Sequence, residues 1–225
     1  MRNISKKSLI RVFALAVLAV AIALIFVQQA EKSDLTALLL TCRAVEEDPE
    51  KAVAACSKII AMPAFTDAER ADRYRFRGRA LGRLGDWSAA LQDFERSVQL
   101  TPESFAAWYW KSWALRGAGE YEAALEAIET SLKLAPSYQH SLHAQIEILR
   151  NLGRADEAEA RLVELMAEYP DEVWIPKNLG LIWLTAKQYQ RASDVFRIAL
   201  DIDFWDSELL NGFTSACIGL GDDCA

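Results

Sequence analysis

Histidine, glycine and proline are scarce in this chain of 225 residues, and their scarcity excludes several kinds of active site. There are two histidines, 10 glycines and 6 prolines. The sequence holds no glycine-rich phosphate loop, no G-x-S-x-G nucleophile turn and no C-x-x-C pair. Because glycine and proline are few and 52% of the residues are apolar, the chain also lacks the composition of a disordered protein. We therefore expect an elongated folded domain with no enzymatic activity and no cofactor.

Positive charge is in short supply in the part of the chain that follows Ala30. The whole chain has 25 Lys and Arg against 32 Asp and Glu, a net charge of −7. Residues 1–30 contain four of the basic residues and none of the acidic ones. The remainder is therefore more acidic than the whole, and it repels the phosphate backbone of nucleic acids. We expect neither a nucleic acid nor a small-molecule substrate among the partners.

The segment that ends at Ala30 has the pattern of an export signal. Four basic residues precede an unbroken apolar run over residues 12–27, and the first acidic residue is Glu31. Gln28 fits poorly at a position where signal cleavage needs a small residue. We expect a basic cytoplasmic flank and an uncleaved single-pass anchor in the inner membrane, with the rest of the chain in the periplasm. The alternative is a secreted periplasmic protein from which the segment has been removed.

A repeat with a period of about 34 residues is the strongest signal in the sequence, and a period of this length marks an array of helix pairs. Its three series share one register: Gly85, Gly119 and Gly153; Ala90, Ala124, Ala158 and Ala192; Pro102, Pro136 and Pro170. Lys187 and Phe204 stand where a fourth glycine and a fourth proline are expected. Glycine permits a left-handed turn after the first helix, alanine lets two helices approach closely, and proline ends the second helix.

Two segments resemble the tetratricopeptide repeat family: YRFRGRALGRLGDWSAALQDFERSVQLTP in residues 74–102 and WYWKSWALRGAGEYEAALEAIETSLKLAP in residues 108–136. The resemblance implies an all-α fold without a sheet, in which antiparallel helix pairs form a right-handed superhelical solenoid. We expect about eleven helices after the signal segment.

The repeat register also divides the chain. It predicts a degenerate helix pair in residues 31–66, four repeats in residues 67–204, and a C-terminal capping helix and tail in residues 205–225. The capping helix is expected to bury Leu210, Phe213, Cys217 and Leu220. Asp48 followed by Pro49 has the pattern of a helix start, and Thr66 to Glu69 has the spacing of a capping box.

Four cysteines allow three disulfide pairings in an oxidising compartment. On the repeat register Cys42 lies in the first helix of the degenerate pair and Cys56 lies midway along the second, so a bond between them is geometrically reasonable. Cys217 and Cys224 are close enough in sequence to close the C-terminal end. The alternative is that all four are free thiols in the core.

In the tetratricopeptide family the first helix of each repeat lines a concave groove. Matching repeat positions makes the expected peptide-binding residues Arg75, Arg79, Arg83, Tyr109, Trp113, Arg116, His143, Arg150 and Lys177. Arginine binds carboxylates through paired hydrogen bonds and aromatic rings cover apolar side chains, so this set suits an acidic or C-terminal peptide. The alternative is an ordinary solvated face. Arg73 and Arg77 are expected to project elsewhere, Arg77 towards Asp93 of the adjoining helix.

These patterns predict a non-enzymatic protein–protein interaction module of the bacterial cell envelope. One alternative is an accessory subunit of a translocon or a cytochrome-assembly machine that acts through a convex or edge surface. An alternative of another class is a metal- or redox-active envelope protein, because His140, His143 and Glu147 lie near one helical face. No second helix offers a further ligand, so we expect no bound metal.

Overall fold

The structure is a computed structural model that describes residue 29 and residues 32–221. Within these residues the chain forms eleven α-helices and no strand. None of the described helices is both long enough and apolar enough to cross a membrane. The predicted signal or anchor segment lies outside the described residues, apart from residue 29.

The chain divides into two compact units, and the first ends at Pro102. Its helices are α1 (32–43), α2 (Pro49–Ile60), α3 (Asp67–Arg83) and α4 (Trp87–Leu100). Helix α2 begins as predicted, since the Asp48 carboxylate accepts a hydrogen bond from the Lys51 backbone and Pro49 follows at the first helical position. Helix α3 begins at the predicted capping box, in which Thr66 and Glu69 bond to each other's backbone N–H groups.

The second unit begins at Glu103 and contains the remaining seven helices. They are α5 (Phe105–Gly117), α6 (Tyr121–Leu134), α7 (Gln139–Asn151), α8 (Ala155–Glu168), α9 (Trp174–Thr185), α10 (Tyr189–Ile202) and α11 (Ser207–Leu220). Each of these helices packs against the next one in the sequence. Pro176 lies in the first turn of α9, where its missing N–H breaks no helical hydrogen bond.

The turns between paired helices use the predicted left-handed residue. Gly85, Gly119 and Gly153 have φ angles of 83°, 82° and 72°. Lys187, in the fourth repeat, adopts the same conformation with a φ angle of 58°. A residue with a Cβ is strained there, so the repeat geometry outweighs the local preference of lysine.

A large side chain on each second helix fills the core, and the facing first helix adjusts to its size. Phe94 packs on Gly78 and Phe196 on Gly180, where an added Cβ would lie within 2.9 Å and 2.6 Å of the phenylalanine rings. The same positions of the two intervening repeats are occupied by Ser112 with Ile128 and by Ile146 with Leu162. In both repeats whose second helix carries phenylalanine at this position, the facing position of the first helix is therefore glycine.

The capping helix buries a different stripe from the one predicted. Leu209, Gly212 and Ala216 are buried together with Cys217, whereas Leu210 and Leu220 are each 37% exposed. A Cβ at Gly212 would lie 2.5 Å from the Phe196 ring. The expectation for Leu210 and Leu220 was wrong because small residues, which carry little apolar signal, allow α11 to approach α10 closely.

A disulfide joins Cys42 on α1 to Cys56 on α2, with their Cα atoms 4.8 Å apart. Both cysteines are fully buried, beside Ile59 and the partly buried Phe76. Cys217 is also buried. Cys224 lies outside the described residues, so its pairing with Cys217 stays a prediction.

Candidate functional site

The three arginines expected in the groove of the first unit each lie beside an acidic residue. Arg75 pairs with Asp72 at 2.9 Å. Arg79 pairs with Glu46 at 3.1 Å, and Arg83 pairs with the same carboxylate. Glu46 belongs to the connection after α1, so a single loop residue holds two of the predicted ligand-binding side chains.

Arg77 takes the structural role that was predicted for it. Its Nε and Nη2 atoms each donate a 2.7 Å hydrogen bond to the Asp93 carboxylate, and Nη1 donates to Ser57 Oγ at 2.9 Å. These hydrogen bonds to Asp93 raise the pKa of Arg77, and burial opposes them more weakly. The side chain joins α2, α3 and α4, so it is engaged inside the repeat.

Arg73 does not project into solvent. It is only 6% exposed, and its Nε and Nη1 atoms have no hydrogen-bond acceptor in the described part of the chain. In the sequence, arginines alternate with apolar residues around this position, and that pattern gave no indication that Arg73 is buried.

Aromatic residues of the second unit form a row along its first helices. We define the aromatic row as Tyr109, Tyr138, His140, His143 and Trp174. The Tyr109 ring lies 5.6 Å from Tyr138 and 6.2 Å from His140, and the His143 ring lies 5.2 Å from Trp174. All are half-buried except His140, which is exposed. Trp113 contacts Trp110 at 5.5 Å, one turn beyond Tyr109 on α5.

The pKa of His143 lies below its ordinary value. Burial is the main cause that lowers its pKa, and the positive charges of Arg116, His140 and Arg150 act in the same direction. The pKa of Lys177 is raised instead, because hydrogen bonds to Glu208 and Asp206 together outweigh its burial.

The basic residues of the second unit differ in their partners. Arg116 forms an ion pair with Glu147. Lys177 lies 3.0 Å from Asp206 and 2.6 Å from Glu208. Arg150 instead donates a 3.0 Å hydrogen bond to the amide oxygen of Asn178, which is neutral. No carboxylate among the described residues pairs with its guanidinium, and the residue as a whole is exposed.

A pocket of about 770 Å³ opens where α5, α7 and α9 end and α8 begins. It is lined by Arg116, Glu147, Arg150, Asn151, Ala155, Asp156, Glu159, Ile182, Thr185, Ala186 and Gln188. Of the predicted groove residues it includes Arg116 and Arg150 and excludes the aromatic row. Asp156 and Glu159 of α8 were not among the predicted residues, because the repeat register places only the first helix of each repeat along the groove.

The residues of the metal hypothesis have other contacts. His140 lies 5.3 Å from the Tyr138 ring, His143 packs on Trp174, and Glu147 pairs with Arg116. No group of three His, Cys, Asp or Glu side chains is placed to hold a metal ion within residues 32–221.

Comparison with known proteins adds a family and a set of structural neighbours. The family profile described as Tetratricopeptide repeat matches residues 77–138 and 143–204, which is more than half of the chain. No protein with a curated description matches the sequence.

Three solved structures illustrate the likeness of the fold. MamA from Desulfovibrio magneticus RS-1 is 20% identical, with a TM-score of 0.59 over 68% of this chain and 86% of that one. A thermophilic repeat protein of Thermus thermophilus is 21% identical, with a TM-score of 0.57 over 76% and 91% of the two chains. YrrB, described as a protein with an unusual peptide-binding site, is 14% identical, with a TM-score of 0.57 over 76% and 86%.

Proposed function

The chain belongs to the tetratricopeptide repeat family, whose fold serves as a protein-interaction scaffold, and we propose that it binds an acidic or C-terminal peptide of another protein without catalysing a reaction. The observation that carries the proposal is Arg150. This exposed residue lines the pocket of the second unit, and its guanidinium donates a hydrogen bond to a neutral amide.

A carboxylate of the ligand is a better acceptor for Arg150 than Asn178. Hydrogen bonds between two charged groups are roughly twice as strong as neutral ones, and guanidinium binds carboxylate through two parallel bonds. Arg116 lies in the same pocket and is balanced by Glu147. A ligand carboxylate therefore neutralises the one guanidinium of the pocket that lacks an acidic partner among the described residues.

The aromatic row supplies the apolar part of the proposed contact. Tyrosine and tryptophan bury a large area at small entropic cost and dominate binding hot spots. Tyr109, Tyr138 and Trp174 are half-buried already, so they are held in position before a ligand arrives. YrrB supports the proposal as an example of peptide binding on this fold.

Arg75, Arg79 and Arg83 of the first unit remain part of the proposal. Their acidic partners are exposed, with side-chain exposure of 42% for Asp72 and 56% for Glu46. Ion pairs at the surface contribute only about 0–1 kcal/mol, so a ligand carboxylate can replace either partner at little cost.

The proposed site of action is the periplasmic side of a bacterial inner membrane. The basic flank and apolar run of residues 1–27 support a single-pass anchor, and removal of that segment would leave a periplasmic protein. The disulfide between Cys42 and Cys56 supports the same placement, since such bonds persist in oxidising compartments.

The test is affinity capture from detergent-solubilised envelope, with bound proteins identified by mass spectrometry. The baits are the wild-type chain, Arg150→Glu, and the triple variant Arg75→Glu, Arg79→Glu and Arg83→Glu. Arg161→Glu on α8 is the matched control, because Arg161 pairs with Glu164 and does not line the pocket. We expect each groove variant, taken by itself, to lose a protein that the wild type and the control retain.

Screening a displayed library of random C-terminal peptides gives the ligand class directly. The wild type should enrich acidic peptides with an apolar or aromatic residue, and Arg150→Glu should not. Enrichment of the same peptides by both folded proteins would remove Arg150 from the site.

A second candidate function is supported by the connection between α10 and α11. Phe204 and Trp205 there are 61% and 84% exposed, with their ring centroids 5.3 Å apart. Asp201 and Asp203 precede them in the chain, so an accessory subunit acting through this edge would bind a segment that is both apolar and basic. Loss of the captured protein by Trp205→Ser, with retention by Arg150→Glu, would favour this candidate.

A further inference from the structure

Arg73 occupies a repeat position that is small or apolar in every later repeat. Moving along the chain one repeat period at a time, the equivalent residues are Ala107, Ser141 and Ile175. All three are fully buried, and Arg73 is 6% exposed. The first full repeat therefore places a guanidinium where the other repeats place a methyl, a hydroxymethyl or a butyl group.

Two donor atoms of this guanidinium are unsatisfied within the described part of the chain. Nε and Nη1 are buried, and neither has an acceptor among the described residues. Burial is the main cause that lowers the pKa of Arg73, followed by the positive charge of Arg43, while the carboxylates of Asp72 and Glu69 act in the opposite direction. Buried donors without an acceptor are costly, so Arg73 needs either a structural compensation or an acceptor from outside the described residues.

Phe76 has three guanidinium groups around it. The Cζ atoms of Arg43, Arg73 and Arg75 lie 5.8, 5.9 and 5.9 Å from the centre of its ring. Arg75 is neutralised by Asp72. Arg43 is exposed on α1 and has no ion pair among the described residues. Neither Arg43 nor Arg73 thus forms an ion pair within the described residues, although Asp72 and Glu69 attract Arg73 electrostatically.

We propose that Arg73 and Arg43 form a binding site for an oxyanion of the phosphate class beside Phe76. A carboxylate would neutralise only one of the two guanidinium groups, whereas a phosphate monoester carries about −1.5 to −2 charges at neutral pH. Its three terminal oxygens accept hydrogen bonds in different directions, which suits N–H groups on different edges of one guanidinium and a second arginine. The anion is either free phosphate or the phosphate of a lipid headgroup.

The first experiment measures thermal unfolding of the full chain in inorganic phosphate and in chloride at equal ionic strength. A ligand that binds the folded state raises the melting temperature, and we expect a rise of roughly 3 °C or more at saturating phosphate. The variant Arg73→Ala introduces the residue found at position 107 and should lose the rise. Arg96→Ala on α4 removes the same charge from an exposed position and should keep it.

A structural role for Arg73 gives the opposite result. If the guanidinium only packs against Phe76, Arg73→Ala lowers the melting temperature in chloride and phosphate alike, and the wild type responds neither to free phosphate nor to vesicles that contain phosphatidic acid. Arg43→Ala tests the site without touching a buried residue. It should weaken phosphate binding measured by calorimetry at least tenfold, and unchanged affinity would overturn the proposed pair.

The second experiment separates the two sources of phosphate. The full chain is reconstituted in phosphatidylcholine vesicles with or without phosphatidic acid, and hydrogen exchange is followed in α3. Protection in vesicles containing phosphatidic acid, absent in Arg73→Ala and with no response to free phosphate, assigns the site to a lipid headgroup. A response to free phosphate in both vesicle types assigns it to the soluble anion. No protection by either ligand overturns the proposal.

Discussion

Arg77 on α3 and Asp93 on α4 are joined by two hydrogen bonds of 2.7 Å across the interior of one repeat. The Asp93 side chain is 6% exposed and that of Arg77 is 24% exposed. A paired carboxylate and guanidinium satisfy each other there, whereas either one alone would be a buried charge.

Removing one partner of this pair is expected to destabilise the protein more than removing both. Arg77→Met should lower the free energy of unfolding by about 3–5 kcal/mol, because Asp93 is left buried and unpaired. The double variant Arg77→Met with Asp93→Leu should recover much of that loss. Urea denaturation of the single and double variants measures the difference. Arg154→Met, which breaks an exposed ion pair with Glu157, is the control. If Arg154→Met and Arg77→Met lowered the free energy of unfolding equally, the claim that Arg77 neutralises a buried Asp93 would be contradicted.

The disulfide between Cys42 and Cys56 is expected to stabilise the first unit. Bonds that close loops of about fifteen residues contribute roughly 3 kcal/mol, largely by restricting the unfolded chain. A reducing agent should therefore lower the melting temperature of the wild type. Without reductant, the double variant Cys42→Ala with Cys56→Ala should have a lower melting temperature than the wild type. Reductant should then lower its melting temperature less than it lowers that of the wild type. If reductant still lowers the melting temperature of the double variant, the protein contains a second disulfide.

The pairing of glycine with phenylalanine predicts which core changes compensate. Gly180→Ala should destabilise by about 1–3 kcal/mol, since its Cβ would lie 2.6 Å from the Phe196 ring. Adding Phe196→Ile should restore part of the stability, because Ser112 and Ile128 form the same pair in another repeat. Chemical denaturation of the two single variants and the double variant tests this coupling. Additive losses would show that the two positions do not share space.

Lys187 offers a stabilising change at the fourth interhelical turn. A residue with a Cβ is strained by about 1–2 kcal/mol at its φ angle of 58°. Glycine avoids this strain but loses more conformational entropy on folding, which costs roughly 0.5–1 kcal/mol. Lys187→Gly should therefore raise the melting temperature slightly. Gly119→Lys makes the reverse change in another repeat and should lower it. A loss of stability on Lys187→Gly would mean that the lysine side chain makes a contact worth more than the strain.

His143 makes stability depend on pH. Its pKa is lower in the folded state than in the unfolded chain, so the unfolded state binds more protons as the pH falls. The contribution of His143 to the free energy of unfolding is complete above the ordinary histidine pKa of about 6.5. It declines as the pH falls from there through the pKa of the folded state. The melting temperature of the variant His143→Gln should change less between pH 7.5 and 5 than that of the wild type. An NMR titration of the two histidines, assigned with His140→Gln, should give His143 a pKa below its ordinary value.

Local features of the fold were predictable because they depend on residues close together in the chain. The repeat period located the helix pairs, the left-handed turns at Gly85, Gly119 and Gly153, and the core alanines. The capping box at Thr66 and the proline after Asp48 located the beginnings of two helices. The pairing of Arg77 with Asp93 followed from the same register, since the two residues face each other within a single repeat.

The neighbours of a side chain across repeats were decided by the tertiary structure. Glu46 pairs with Arg79 and Arg83 from a connection outside the repeat pattern, and the acidic residues of α8 reach the pocket from a second helix. Gly212 sets the buried face of α11 because it fits the Phe196 ring, although it has no side chain to signal burial. Arg73 lies in the core because its repeat position is a packing position, whichever residue occupies it. Periodicity thus determined which residues share a helix face, while the arrival of another helix against that face determined which of them are buried, paired or available to a ligand.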